Sequence, residues 1–117
     1  MTYLVACLGS KGPHWDYLRK LIDSEAWEAV FIVCGPDGNE FTSTKKLSFI
    51  FADSKLPLSE LSRNIQQGLK GKIIDTEVAV NFVLGTGKEH MALISAVIKL
   101  GLGIRLVAYS NEGVVEI

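Results

Sequence analysis

The chain has 117 residues, enough for one domain that buries about two-thirds of its unfolded surface. Hydrophobic residues make up 48%, which excludes disorder, and no apolar run reaches the roughly 18–20 residues needed to span a bilayer. With 12 basic against 13 acidic residues the chain lacks a broad electrostatic footprint for duplex DNA, so any contact with a polyanion has to be local.

The N-terminus, Met1-Thr2-Tyr3-Leu4-Val5-Ala6, has no basic lead and reads as a strand, not a signal peptide. Tyr3 to Leu8 is a short, nearly continuous apolar run, as expected of a strand covered on both faces. The turn Leu8-Gly9-Ser10-Lys11-Gly12 follows it. Gly12-Pro13 then opens a helix, with proline in a first-turn position that has no use for an N–H. Trp15, Leu18, Leu21 and Ile22 supply its buried stripe. Ala29 to Cys34 is a second apolar strand, stopped by Gly35-Pro36-Asp37-Gly38. Asn39 to Lys46 is polar, with room for a helical turn or two at most. Leu47 to Ala52 is a third strand. A helix starts near Pro57, carries Leu58, Leu61, Ile65 and Leu69 at spacings of three and four, and ends at Gly71.

Glu77 to Leu84 is predicted as the fourth and most buried strand. The turn Leu84-Gly85-Thr86-Gly87-Lys88 leads into a helix over 88–100, closed by Gly101. Ile104 to Tyr109 is a fifth strand, and Asn111-Glu112-Gly113 turns into Val114-Val115-Glu116-Ile117 as an antiparallel hairpin. Apolar strands alternating with helices specify an α/β three-layer sandwich with a mostly parallel six-stranded sheet, of expected order 3-2-1-4-5-6. In that order the winding reverses between strands one and four, where ligands of open α/β sheets bind. The two glycine-rich turns follow those two strands, so they are expected to share one crevice, each at the positive end of a helix.

Cys7 and Cys34 lie in apolar strands without a Cys-x-x-Cys spacing or a nearby histidine pair. They read as buried reduced thiols, with no metal site and no cofactor expected, and they favour a cytoplasmic location. On the helix over 88–100, Lys88, Ala92, Ser95 and Lys99 form a narrow polar stripe. Met91, Leu93, Ile94, Ala96, Val97, Ile98 and Leu100 spread over roughly 220°, where packing on one core needs about 100°. A homodimer with this helix near a two-fold axis buries the excess. Cover by neighbouring helices of the same subunit is the alternative.

The order of elements, and the passage Asn81-Phe82-Val83-Leu84-Gly85-Thr86-Gly87-Lys88-Glu89-His90-Met91-Ala92-Leu93, resemble the CRISPR-associated Rossmann fold domains over essentially the whole chain. That family carries Asn/Asp-x-Thr-Gly-Gly-Thr-Lys after its fourth strand and a small-residue turn after its first, matched here by Gly9-Ser10. Gly85 and Lys88 keep the family's spacing. Thr86 and Gly87 stand in reversed order, Leu84 replaces a threonine, and Asn81 lies one residue upstream of its aligned place. The resemblance implies a Rossmann-like fold and a homodimer that binds a cyclic oligoadenylate second messenger across its two-fold axis in antiviral defence. Some family members also cleave the messenger and are called ring nucleases. Members usually carry an effector domain; with the chain ending at Ile117, a stand-alone sensor is the expectation.

The candidate ligand-binding residues are Gly9, Ser10, Lys11, Gly12, His14, Gly85, Thr86, Gly87, Lys88 and His90. A cation such as Lys88 in a helix's first turn is disfavoured by the dipole, a cost that a bound anion offsets. Ser10 and Thr86 suit helix capping as well as ligand contact. Asn81 interrupts an apolar strand and needs a partner if buried, in the loop or on a ligand. For a metal-independent ring nuclease, Lys88 would stabilise the transition-state charge and Ser10 would orient the phosphate or the attacking 2′-hydroxyl. No carboxylate or histidine pair stands out for acid–base work, so slow cleavage or none is expected.

Other classes compete. A nucleoside-triphosphate P-loop is excluded, because Phe82 takes the place of its first glycine and Glu89 that of its Ser or Thr. A dinucleotide-binding protein is the nearer rival, with Asp37 close to where a ribose-binding carboxylate sits, although the three-glycine fingerprint is incomplete. A regulatory subunit that binds another protein through the helix over 88–100 is the third.

Overall fold

The most apolar segment of the chain becomes the centre of the sheet. In the computed structural model, which describes residues 2–117 and leaves Met1 outside the described residues, β1 (Tyr3–Cys7) has Leu4, Val5, Ala6 and Cys7 fully buried. It pairs in parallel with β2 (Ala29–Cys34) on one side and β4 (Glu77–Asn81) on the other, Val5 lying opposite both Phe31 and Val80. Beyond β2 lies β3 (Leu47–Phe51), and beyond β4 lies β5 (Gly103–Ser110), both parallel to their neighbours. The hairpin partner β6 (Gly113–Glu116) runs antiparallel to β5. The order β3-β2-β1-β4-β5-β6 is the one the pattern predicts.

Successive residues of each strand point to opposite faces, so the continuous apolar strands feed two cores. Leu4, Ala6, Ile32 and Ala79 face α1 (Trp15–Asp23), whose Leu18, Leu21 and Ile22 are fully buried. Val5, Cys7, Val33 and Val80 face α2 (Leu58–Leu69) and α3 (Gly87–Lys99), through Leu61, Ile65, Leu93 and Val97. Right-handed crossovers require this split, because the chain winds one way from β1 to β3 and back the other way through β4 and β5. The result is a Rossmann-like α/β fold with its switch point between β1 and β4. Among the described residues no helix is long and apolar enough to cross a membrane.

Several local expectations shift, each for a physical reason. The first helix begins at Trp15, two residues past Pro13, because Gly12, Pro13 and His14 carbonyls accept i→i−3 bonds from Trp15, Asp16 and Tyr17 in a tighter first turn. The strand β4 stops at Asn81 and not at Leu84. The buried Asn81 amide donates to the Val107 carbonyl at 2.8 Å and the Tyr17 hydroxyl at 3.2 Å, and its Oδ1 accepts from the Val83 N–H at 3.3 Å. That last bond turns the chain out of the sheet toward Gly85. Asn81 therefore ties β4 to α1 and β5 and shapes the loop.

The helical turn expected within Asn39–Lys46 lies earlier, as a 3₁₀ turn over Pro36–Glu40. Phe41, just past it, is buried as an anchor, edge-on to Trp15 with ring centroids 5.5 Å apart and covered by the Arg19 guanidinium at 5.0 Å. On α3 the polar stripe is broken. Ala92 is fully buried together with Ala96, small residues that let the α3 backbone approach its neighbours closely, while Met91 and Ile98 remain 63% and 60% exposed.

Candidate functional site

The two glycine turns meet. Gly9, directly after β1 and Leu8, has φ +73°, and Gly85, at the turn before α3, has φ +99°; both lie in the left-handed region that only glycine enters cheaply. A Cβ on Gly9 would stand 2.8 Å from the Gly85 amide nitrogen, and a Cβ on Gly85 would stand 2.6 Å from the Cys7 Sγ. The backbone of one turn is therefore in direct contact with that of the other, over the end of β1. This apposition is what the element order predicts for a switch point.

Above the glycines is a cavity of about 490 Å³, within the usual range for small-molecule sites. The turn after β1 contributes Gly9 and Ser10, joined by His14. The turn after β4 contributes Val83 to Thr86, with Glu89 behind it. The turn after β2 contributes Gly35 to Gly38, and the loop after β3 contributes Ser54. All four segments leave the carboxyl ends of their strands.

Of the residues expected to bind ligand, Gly9, Ser10, His14, Gly85 and Thr86 line this cavity. Ser10 does not cap α1; its carbonyl accepts from the His14 Nε2–H at 2.7 Å. Thr86 is the N-cap of α3, and it works reciprocally with Glu89. Its hydroxyl accepts from the Glu89 N–H at 3.3 Å, and the Glu89 carboxylate accepts from the Thr86 N–H at 2.9 Å.

Lys11, Gly12, Gly87, Lys88 and His90 stand outside the cavity wall. The Lys11 ammonium donates to Glu40 at 2.6 Å, and that hydrogen bond and charge push its pKa up. Gly12 gives room to the His14 ring, whose Cε1 would lie 2.5 Å from a Cβ there. The Lys88 ammonium reaches across to the Ser54 carbonyl at 2.8 Å, bridging the start of α3 to the loop after β3 at the cavity's rim. That carbonyl, with Glu89 beside it, offsets the cost of a cation in a helix's first turn. His90 turns away, its Nε2–H donating to the Leu84 carbonyl at 2.8 Å and its ring against Phe82 at 5.0 Å. It borders, with Gly87, Met91, Ile94 and Ile98, a second cavity of about 560 Å³ on the outer face of α3.

The thiols belong to the framework of the site. Cys7 lies under Gly85, and Cys34 lies under Gly38, where a Cβ would come within 2.1 Å of its Sγ. Burial pushes Cys7 up to about 12 and Cys34 up to about 11, so both stay protonated at neutral pH and are poor nucleophiles.

Sequence reasoning overlooked Glu89 as a wall residue, although Thr86-x-x-Glu89 has the spacing of a capping box. It also overlooked Ser54, which no local motif marks; only the parallel register of β3 on β2 brings it here. Asp37, weighed as a ribose ligand, does line the cavity. The fold is a Rossmann-like α/β fold, with a crevice at its switch point. No family model matches the chain, and no curated protein matches it in sequence.

Proposed function

We propose that this protein is a nucleotide second-messenger binding domain that holds a cyclic oligoadenylate across a homodimer, in CRISPR-linked antiviral defence in the cytoplasm. The observation that carries the reading is the apposition of Gly9 and Gly85 over the end of β1, with side-chain-free backbone facing a cavity of about 490 Å³. Such turns admit a phosphate close to backbone N–H groups, and at the start of α3, outside the wall of this cavity, the Gly87 and Lys88 N–H groups have no intramolecular acceptor among the described residues. One charge-assisted bond contributes about 1.5–3 kcal/mol, too little alone once association costs are counted. Two turns per subunit, doubled by symmetry, give about 6–12 kcal/mol gross, which reaches the roughly −8 kcal/mol of micromolar binding only at the upper end and with the smallest association cost.

Asp37 and Glu89 in the cavity wall oppose a concentrated anion. They favour a ligand whose phosphates are spread over two subunits and whose ribose hydroxyls donate to Asp37. The exposed Met91 and Ile98 on α3 support a second copy against this helix. Ser10 and Lys88 are the residues for a ring-nuclease step, in which a ribose 2′-hydroxyl attacks the adjacent phosphate and the 5′-oxygen leaves, giving a cyclic phosphate. With Lys88 bound to the Ser54 carbonyl and the His14 ring engaged on the Ser10 carbonyl, binding without turnover is the expected outcome.

The position of Asp37 also favours a second reading, a dinucleotide-binding protein in which it accepts from the adenosine ribose. Thermal unfolding separates the two. Cyclic tetra-adenylate, and not NAD or ATP, is expected to raise the Tm, and Lys88→Ala is expected to diminish the shift. Stabilisation by NAD alone favours the rival. Chromatography of the messenger after incubation then distinguishes a binder from a ring nuclease.

A further inference from the structure

The tip of the loop between β3 and α2, Asp53 to Lys55, receives one hydrogen bond from outside its own turn. The segment starts from a fixed point, the Ala52 N–H donating to the Cys34 carbonyl at 2.9 Å. The turn itself is self-contained. The Asp53 carboxylate accepts from the Lys55 N–H at 2.9 Å, and the Asp53 carbonyl accepts from the Leu56 N–H at 3.1 Å. Among the described residues neither Asp53 nor Lys55 has an ion-pair partner. The outside bond comes from the Lys88 ammonium, which donates to the Ser54 carbonyl at 2.8 Å.

The same tip is a shared wall. Ser54 lines the crevice of about 490 Å³ at the glycine turns. With Asp53 and Lys55 it also lines a neighbouring cavity of about 660 Å³ at the carboxyl end of β3. Lys88 thus straps the first turn of α3 to the rim of the crevice. The strap is light, because Lys88 and Ser54 are both exposed and water competes for each partner. A phosphate oxygen is the stronger acceptor, since it adds an opposite charge to the hydrogen bond. The flexible four-carbon stem of lysine lets the ammonium change partners without moving the helix.

We propose that the Lys88–Ser54 bond is a ligand-operated strap: a phosphate on the Gly9 and Gly85 turns draws Lys88 from the Ser54 carbonyl and frees the Asp53–Lys55 tip. This rests on the reading of those turns as a phosphate site and adds how occupancy of the crevice reaches an exposed loop. The contact between Lys88 and phosphate exists only with the strap open, and that differential affinity shifts the equilibrium. Leu56 packs against the core under α2, and Pro57 caps that helix, so the release is confined to the tip. Release hands the phosphate a cation and no base, so binding without turnover remains the expectation.

The test is an amide NMR titration of the whole chain with cyclic tetra-adenylate, in the wild type and in Lys88→Met. Lys88 is exposed, so methionine there leaves the core untouched. The Lys55 amide, bonded directly to the Ser54 carbonyl carbon, is the reporter. In the wild type the ligand is expected to move Gly9, Gly85 and Lys55 together. In ligand-free Lys88→Met the Lys55 resonance is expected to lie already where saturating ligand puts it in the wild type. Ligand then moves Gly9 and Gly85 of the variant, with about tenfold weaker affinity, and leaves Lys55 in place. A Lys55 amide unmoved by Lys88→Met overturns the strap. So does a ligand that moves Gly9 and Gly85 of the wild type but not Lys55, or that moves Lys55 equally in both proteins; in these cases the phosphate reading stands. If the ligand moves Lys55 to its Lys88→Met position while Gly9 and Gly85 stay still, Lys88 is a strap but the phosphate reading of the turns falls. If it moves none of the three, both fall.

Discussion

Replacing Gly9 by alanine tests whether the two glycine turns touch. At φ +73° an alanine costs about 1–2 kcal/mol for the left-handed conformation alone. Its Cβ would also stand 2.8 Å from the Gly85 nitrogen and 3.1 Å from the Gly85 Cα, both backbone atoms with no rotamer to escape into. Forcing such a contact apart costs about a further 1–3 kcal/mol by analogy with overpacked cores. Gly101→Ala is the internal control, since Gly101 has φ +76° and nothing within 4 Å of its added Cβ. The control isolates the conformational cost, about 1–2 kcal/mol. Urea denaturation is expected to place Gly9→Ala below Gly101→Ala by about 1–3 kcal/mol at unchanged m, or roughly 4–12 °C in Tm for a chain of this size. Equal destabilisation of the two variants would refute the backbone contact, and with it the shared crevice.

Asn81→Ala is expected to cost about 2–3 kcal/mol, because it takes a donor from the buried Val107 carbonyl, removes one of the two donors to the Tyr17 hydroxyl and frees the Val83 N–H. Tyr17 also accepts from the Tyr109 N–H, so a double-mutant cycle of Asn81→Ala with Tyr17→Phe is expected to show marked non-additivity in denaturation. Thr86→Ala removes the cap of α3 and is expected to cost about 1 kcal/mol, whereas Thr86→Ser is near neutral by the same assay. The thiols are expected to resist a disulfide reagent in the native protein at pH 8 and to react at once in urea. Their raised values, about 12 for Cys7 and about 11 for Cys34 against 9.0, also fix a sign. Above pH 9 the unfolded chain releases thiol protons that the folded one keeps, so stability falls as pH rises from about 9 toward 12. Cys7→Ala is expected to flatten that fall in denaturation curves taken across the window; an unchanged slope would show that Cys7 is not buried as described.

Much of the fold was legible because burial on both faces leaves a direct mark. Tyr3–Leu8 and Ala29–Cys34 read as continuous apolar runs, and the alternation of such runs with helical spacings leaves one economical strand order. The element ends were harder to read where a side chain overrides propensity. Phe82, Val83 and Leu84 have strand composition, yet the Asn81 carboxamide ends the ladder and turns the chain out of the sheet, leaving Val83 exposed while Phe82 and Leu84 pack back against the two cores. Phe41 lies in a polar segment whose composition conceals a buried anchor, and only its packing on Trp15 and Arg19 reveals it. The meeting of Gly9 and Gly85 followed from topology, because both turns leave the carboxyl ends of neighbouring parallel strands. The destinations of Lys11 and Lys88 did not. Long side chains choose partners by tertiary proximity, and Glu40 and Ser54 stand far from them in sequence. Ala92 was misread for the opposite reason: on a helical wheel it sits among polar positions, but a small side chain is also what a close helix contact selects.

The proposed ligand of the crevice over Gly9 and Gly85 is a phosphate-bearing nucleotide held between two copies of the chain. Titration calorimetry with cyclic tetra-adenylate tests it most directly, because heat and stoichiometry are read together. Saturable binding at one ring per two chains is expected, with affinity in the micromolar range or tighter. Absence of binding, or one ring per chain on a protein that sediments as a monomer, would contradict it.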